Sequence, residues 1–162
     1  MKFKPILIVS GEPNSIFSEI LIKSLIKIKI KNPIIIISSE KLLKSQMKIL
    51  NLKKKIKKLD YESLNFNTLN NSSINLIDIE YNQKKPFEKI SYKSNKYIKN
   101  SFEIAFKIIK KYKILKFING PISKKYFLKK KYLGITEYLS ENFSKKKTCM
   151  LIYNRNLSVC PV

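Results

Sequence analysis

The stretch Pro33-Ile34-Ile35-Ile36-Ile37-Ser38 decides the fold class. Four consecutive Ile residues leave no polar face, so a strand built from them must be covered on both sides. A strand with one wet face would alternate apolar and polar residues. A parallel strand held between two layers of helix fits this pattern. The flanks agree. Upstream, residues 4–10 (KPILIVS) form another apolar run of strand length, and Gly11-Glu12-Pro13-Asn14-Ser15 reads as a turn. A helix over residues 16–29 then places Ile16, Ile20, Leu21, Leu25 and Ile28 on one face. Downstream, Ser39 is placed to cap a second helix carrying Leu42, Leu43, Met47 and Leu50. The first fifty residues therefore read βαβα, with the first two strands side by side in a parallel sheet.

The rest of the chain extends this α/β pattern. Residues 53–58 are a charge run, read as a solvated helix end or loop, and residues 60–73 are Asn- and Ser-rich loop. Residues 74–79 (INLIDI) make a third strand, and polar residues 80–92 follow. Residues 94–113 give the clearest helix: Ile98, Phe102, Ala105, Ile109 and Tyr112 share a face, with Lys96, Lys99, Lys107 and Lys110 opposite. A basic amphipathic helix can also lie on an anionic membrane, but the strand that follows at once favours a core-facing helix. Residues 115–118 are an apolar run fit for a buried strand, broken by Asn119-Gly120-Pro121. Ser123 is placed to cap a short helix reaching Lys131, Gly134 to stop it, and Thr136 to cap the next one. Residues 148–153 and 156–162 read as a hairpin turning at Asn154-Arg155. The chain stops inside that last apolar run, and the expectation is of a truncated α/β unit spanning residues 1–162.

Composition bounds the function. The net charge of +23 looks like a nucleic-acid signal, but Lys, Ile and Asn saturate the sequence. All three have AT-rich codons, so codon bias alone can supply the charge. Arg155 is the only Arg, whereas phosphate and base recognition favour Arg. Nucleic acid is thus an unfavoured partner, although a small basic nucleic-acid-binding protein remains an alternative class, as does a decayed, non-catalytic relative of an enzyme retained for interaction. No apolar run approaches the ~20 residues that span a membrane. Cys149 and Cys160 each sit in an apolar run and read as buried thiols, which points to a reducing cytoplasm.

Two loops carry candidate chemistry, because ligands bind where strands of an α/β sheet end. Gly11 to Ser15 lacks the second glycine of a dinucleotide loop and the Gly-Lys-Ser/Thr of a phosphate loop. It remains either a plain turn or a loop whose N–H groups could receive an anion. The other is Asn119-Gly120-Pro121-Ile122-Ser123-Lys124, continued by Gly134-Ile135-Thr136-Glu137-Tyr138-Leu139.

Together these stretches resemble the 4-hydroxythreonine-4-phosphate dehydrogenase family of pyridoxal phosphate biosynthesis. The segment from Ser10 to Glu19 is similar to that family's Gly-Asp/Glu-Pro-Ala-Gly-Ile-Gly-Pro-Glu loop. Asn119 to Lys124 is similar to its Thr-Gly/Ala-Pro-Ile-Asn-Lys, and Gly134 to Leu139 to its Gly-His-Thr-Glu-Tyr/Phe-Leu. The resemblance implies a three-layer α/β/α fold like that of isocitrate and isopropylmalate dehydrogenases. It implies oxidation of 4-phosphooxy-threonine by NAD or NADP followed by decarboxylation, with a divalent metal held by histidines as Lewis acid. It also implies a homodimer acting on a small phosphorylated amino acid. The substrate-binding positions it implies here are Glu12, Gly120, Lys124, Thr136 and Ile135, which stands where the family has His. Ile can neither donate a hydrogen bond nor carry charge. The resemblance covers only the N-terminal part of a family member. It places no catalytic residue and no metal ligand in this chain, and the cofactor-binding positions are not identifiable.

The apolar last run and the high charge act against each other. An exposed apolar edge favours association, and like charge opposes it until salt screens it to ~8 Å at physiological ionic strength. Light scattering across a salt titration is expected to show a monomer at low salt and growing species as salt rises. A monodisperse monomer throughout would mean that the run is covered by its own chain.

Overall fold

The computed structural model describes residues 4–129, 131–144 and 149–160. These fall into two compact units, residues 1–122 and 123–162. The first is a five-stranded, wholly parallel sheet in the order β3-β4-β2-β1-β5. Its strands are β1 (Ile6–Val9), β2 (Ile34–Ser38), β3 (Ile56–Lys58), β4 (Ile74–Asp78) and β5 (Lys116–Asn119). Its helices are α1 (Phe17–Lys27), α2 (Glu40–Ile49) and α3 (Asn95–Tyr112).

The Ile run of β2 is buried at every position, as a strand covered on both faces must be. Alternation along the strands sorts the two layers. Ile8, Ile34, Ile36, Ile74 and Leu76 pack with Leu21, Ile22 and Leu25 of α1 and Leu43 and Met47 of α2. Leu7, Val9, Ile35, Ile37 and Ile77 are buried on the other face, the side of α3, which packs across β1 and β2. There Phe102 meets Phe117 of β5 edge-on at 6.4 Å between ring centres. The fold is the three-layer α/β/α arrangement.

Polar side chains fix the strand ends. Asn71 accepts from Ile34 N (2.9 Å) and donates to the carbonyls of Ile30 (2.9 Å) and Asn32 (2.8 Å), which holds the entry to β2. The Ser39 hydroxyl accepts from Leu42 N at 3.4 Å, capping α2 as the sequence indicated. Asp78, at the end of β4, accepts from Glu40 N at 2.9 Å. Lys58 then bridges Asp78 (2.8 Å) and Glu40 (3.1 Å), tying the edge strand β3 to β4 and α2. Buried Tyr97 of α3 has its phenol pushed up to about 12 by burial, and it donates to Ser38 Oγ at 3.3 Å.

Several expectations need correction. Residues 53–58 were expected as helix end or loop, yet Ile56–Lys58 is a strand. Ile56 pairs beside Ile74, and the exposed lysines 57 and 58 suit a sheet edge, where charge discourages pairing with another chain. The run at residues 115–118 is the opposite edge rather than a buried strand, with Leu115 78% exposed. The core stripe of α1 is Leu21, Ile22 and Leu25, whereas Ile16, Ile20 and Ile28 face out. Ile is so abundant that it occupies both faces, and periodicity then has two solutions. On α3 the buried residue is Ile108, with Ile109 half-buried.

The second unit holds one wide turn of π-type helix (Lys124–Leu128), the short helix α4 (Ile135–Leu139), a further π-type turn (Ser140–Ser144) and a hairpin of β6 (Ile152–Tyr153) with β7 (Ser158–Val159). Ser123 caps the first turn, its hydroxyl accepting from Tyr126 N at 3.1 Å. Lys129, in a left-handed conformation, ends it before Lys131. Gly134 rather than Thr136 begins α4, and Thr136 lies inside that helix. Tyr138 stacks edge-on against Phe127 (5.2 Å) and Tyr132 (5.4 Å), giving this unit its small core. The hairpin turns at Arg155-Asn156, one residue later than expected. Asn154 Oδ1 accepts from Asn156 N at 3.0 Å, and Asn154 N donates to Leu157 O at 3.0 Å, so Asn154 opens the turn. Cys149 and Cys160 are exposed free thiols, against the expectation of burial. A two-strand ribbon has no second layer to bury them. The far ends of the expected strands, Thr148 and residues 161–162, lie outside the described residues.

The two neighbours Ile20 and Ile22 test the α1 assignment. Ile22→Ala is expected to cost about 2–5 kcal/mol, and Ile20→Ala less than about 0.5 kcal/mol. Urea unfolding measures both, and equal costs would contradict the face assigned here.

Candidate substrate-binding loops

The loop after β1 and the loop after β5 meet at the carboxyl edge of the sheet. Strand pairing brings them together: Val9 lies beside Asn119 in register, and Gly120 N donates to Val9 O at 2.7 Å. Glu12 N donates to Pro121 O at 2.8 Å, so the ladder continues past the strands. The approach is too close for side chains. A Cβ on Gly120 would lie 2.1 Å from Ser10 O, and one on Gly11 would lie 2.4 Å from Pro121 O. Gly11 also has φ +70°, which L side chains rarely adopt. Packing therefore accounts for both glycines, and Gly120 is buried against the first loop.

Glu12 is 3% exposed, and its carboxylate is taken up by its own chain. Ser94, at the start of α3, donates to Oε2 at 2.9 Å, and Asn14 N donates to Oε1 at 3.3 Å. Burial pushes the Glu12 carboxyl above its ordinary value, and the hydrogen bonds from Ser94 and Asn14 offset that only in part. The same loop is tied outward: Asn14 Oδ1 accepts from Glu88 N at 2.9 Å, and Gln46 donates to Pro13 O at 2.8 Å. Ser15 Oγ donates to Glu12 O (2.8 Å) and accepts from Phe17 N (3.3 Å), closing the turn into α1. The sequence flagged Glu12 but gave no sign of Ser94, whose partner lies 82 residues away. Only the fold brings them together.

The remaining candidates belong to the second unit. Lys124 is exposed in the turn that Ser123 caps. Ile135 and Thr136 are half-buried in the first turn of α4. Glu12 and Gly120 thus share one pair of loops, and Lys124, Ile135 and Thr136 share the other unit. The donor set does not fit a metal held by histidines. The chain has no His. Among the described residues no group of three or more His, Cys, Asp or Glu could hold an ion. No helix among them is long and apolar enough to cross a membrane.

The family model for the pyridoxal phosphate biosynthetic protein PdxA matches residues 29–162. Among solved structures, a 4-hydroxythreonine-4-phosphate dehydrogenase from Burkholderia phymatum superposes with a TM-score of 0.80 at 20% identity, over 98% of this chain and 49% of that one. One from Klebsiella pneumoniae superposes with a TM-score of 0.79 at 19% identity, over 97% of this chain and 50% of that one. This chain spans about half the length of these structures. No curated protein matches by sequence.

A buried carboxyl with a raised pKa gives a signed pH dependence. Between the ordinary value of 4.5 and the raised folded value, the folded chain binds the extra proton. Glu12 therefore makes stability fall as pH rises through that window. Gln keeps an acceptor for Asn14 N and offers a donor to the Ser94 hydroxyl oxygen. Glu12→Gln is expected to flatten this slope and keep or raise stability at neutral pH. Glu12→Ala strands buried polar groups and is expected to cost about 1–3 kcal/mol. Thermal melts of the three proteins from acid to neutral pH check both the sign and the order.

Proposed function

We propose a function from the premise that the chain belongs to the PdxA family of pyridoxal phosphate biosynthetic proteins. Its role is that of the substrate-handling N-terminal portion of a 4-hydroxythreonine-4-phosphate dehydrogenase. The reaction of such an enzyme is oxidation of a phosphorylated hydroxy amino acid by NAD or NADP, with loss of CO₂. The family match over residues 29–162 carries this reading, and the meeting of the β1 and β5 loops supports it.

Residue roles follow from chemistry. Lys124 offers a mobile point charge suited to the substrate phosphate. Thr136 offers a hydroxyl that can both donate and accept. Ile135 offers only an apolar contact, so the polar contact a His would make is lost. Gly120 and Glu12 act through the backbone they position. The nicotinamide cofactor would accept the hydride, and no residue here is assigned to it. Since these residues do not fit the metal, the isolated chain is proposed to bind substrate without turning it over. A homodimer and a cytoplasmic setting complete the reading.

The nucleic-acid alternative has one local feature in its favour. Lys44, Lys48, Lys53, Lys54 and Lys55 line an open groove of about 560 Å³ floored by Met47 and Leu52. Binding to RNA that survives ~0.2 M salt would favour it, whereas the steep loss shown by any polycation would not.

Calorimetry with O-phosphothreonine as the probe tests the main reading. Binding is expected, with Lys124→Ala weakening it about tenfold, or 1.4 kcal/mol. Ile135→His is expected to strengthen it. NAD⁺ reduction by the chain alone, or binding indifferent to both substitutions, would overturn the assignment of roles.

A further inference from the structure

The hairpin sets the two cysteines of the chain side by side. Its ladder pairs Ile152 with Val159 and Tyr153 with Ser158. One step further along the same register, Leu151 stands across from Cys160. Cys149 precedes Leu151 by two residues, so it falls on the same face of the ribbon. Cys149 and Cys160 are then diagonal neighbours across an antiparallel pair, and their thiols are in hydrogen-bonding contact. Both are exposed and free. They also lie beyond the last ladder pair among the described residues. The chain there can adjust to the short Cβ separation and the near-perpendicular torsion that a disulfide needs.

We propose that Cys149 and Cys160 are a reversible dithiol–disulfide site, oxidised by exchange with a small-molecule disulfide of the glutathione type. Ionised Cys149 attacks one sulfur of that disulfide. An S–S bond forms to Cys149, and the first small thiolate leaves. Cys160, having given up its proton, attacks the Cys149 sulfur, forms the Cys149–Cys160 bond and expels the second thiolate. Two electrons pass from the protein to the small disulfide, and the two thiol protons end on the two released thiols. The contact between the two thiols, a hydrogen bond with Cys149 first, pushes the Cys160 thiol up. Oxidation would fasten a two-stranded ribbon, which is marginal on its own ladder.

The test uses the 162-residue chain in glutathione buffers of graded redox ratio, followed by acid quench, alkylation, intact mass and peptide mapping. The expected product at oxidising ratios is a monomer lighter by two hydrogens, without alkyl groups, linked Cys149 to Cys160 and restored by reductant. Cys149→Ser and Cys160→Ser should each instead accumulate a single glutathione adduct. Intramolecular closure is expected to exceed the mixed adduct about tenfold or more, since the second thiol is held at high effective concentration. Two alkylated thiols across the series would overturn the proposal. So would doubly glutathionylated chains or disulfide-linked dimers as the main product. These readings on the unsubstituted chain do not depend on how the variants fold.

Discussion

The backbone contact between Gly11 and Gly120 is the constraint on which the first unit depends. β5 is an edge strand held to the sheet only through β1, and its ladder runs on into the loops through Gly120 N to Val9 O and Glu12 N to Pro121 O. Any side chain at Gly120 would drive into the Ser10 carbonyl, 2.1 Å from its Cβ, with nothing flexible to yield. The neighbour is backbone on both sides of the contact, so relief means separating β1 from β5. Phe117 would then leave the aromatic group it forms with Phe102 and Phe106. One glycine thus connects the loop geometry to the packing of α3.

Glu12 shows how electrostatics follows from that contact. In a chain of net charge +23, an acidic side chain has every opportunity to find a lysine. Glu40 and Asp78 do so, sharing Lys58: Lys44 first and then Lys58 hold the Glu40 carboxyl below its ordinary range, and at Asp78 the hydrogen bond from Glu40 N and then Lys58 do the same against desolvation. Glu12 is instead turned inward by the docked loop and meets only neutral donors. Its carboxyl moves up rather than down. A neutral donor compensates desolvation less well than a charge. The group therefore costs stability as a charge while its hydrogen bonds still define the loop.

Much of this was legible in the sequence, for reasons that differ by element. β2 and α3 were readable because burial on two faces and on one stripe leave unmistakable patterns: Ile34 to Ile37, and Ile98-Phe102-Ala105. The three loop motifs were readable because turns and caps need particular residues, Gly11, Gly120 and Ser123 among them. β3 was hidden because an edge strand carries exposed lysines that read as a solvated run. The face of α1 was hidden because Ile lies on both of its sides. Ser94 and its bond to Glu12 could not be seen, since no local pattern encodes a contact between residues so distant in sequence. The hairpin register turned on a single side chain, Asn154, whose Asx turn moved the bend by one residue.

A Lys- and Ile-rich background changes what a residue type can mean. Lysine is on every surface here, so a lysine becomes informative only through what holds it. Lys58 is held by two carboxylates and secures an edge strand. Lys131 is held by Glu141 at 3.0 Å, beside Tyr132, and secures the small second unit. Lys124 differs in its place: it sits on the loop that continues from Gly120, behind a cap that fixes its backbone. The same holds for Ile. At Ile36 it is core, at Ile20 it faces out, and at Ile135 it stands half-buried in the first turn of α4. Position in the fold, rather than residue type, decides what each Ile and each Lys of this chain does.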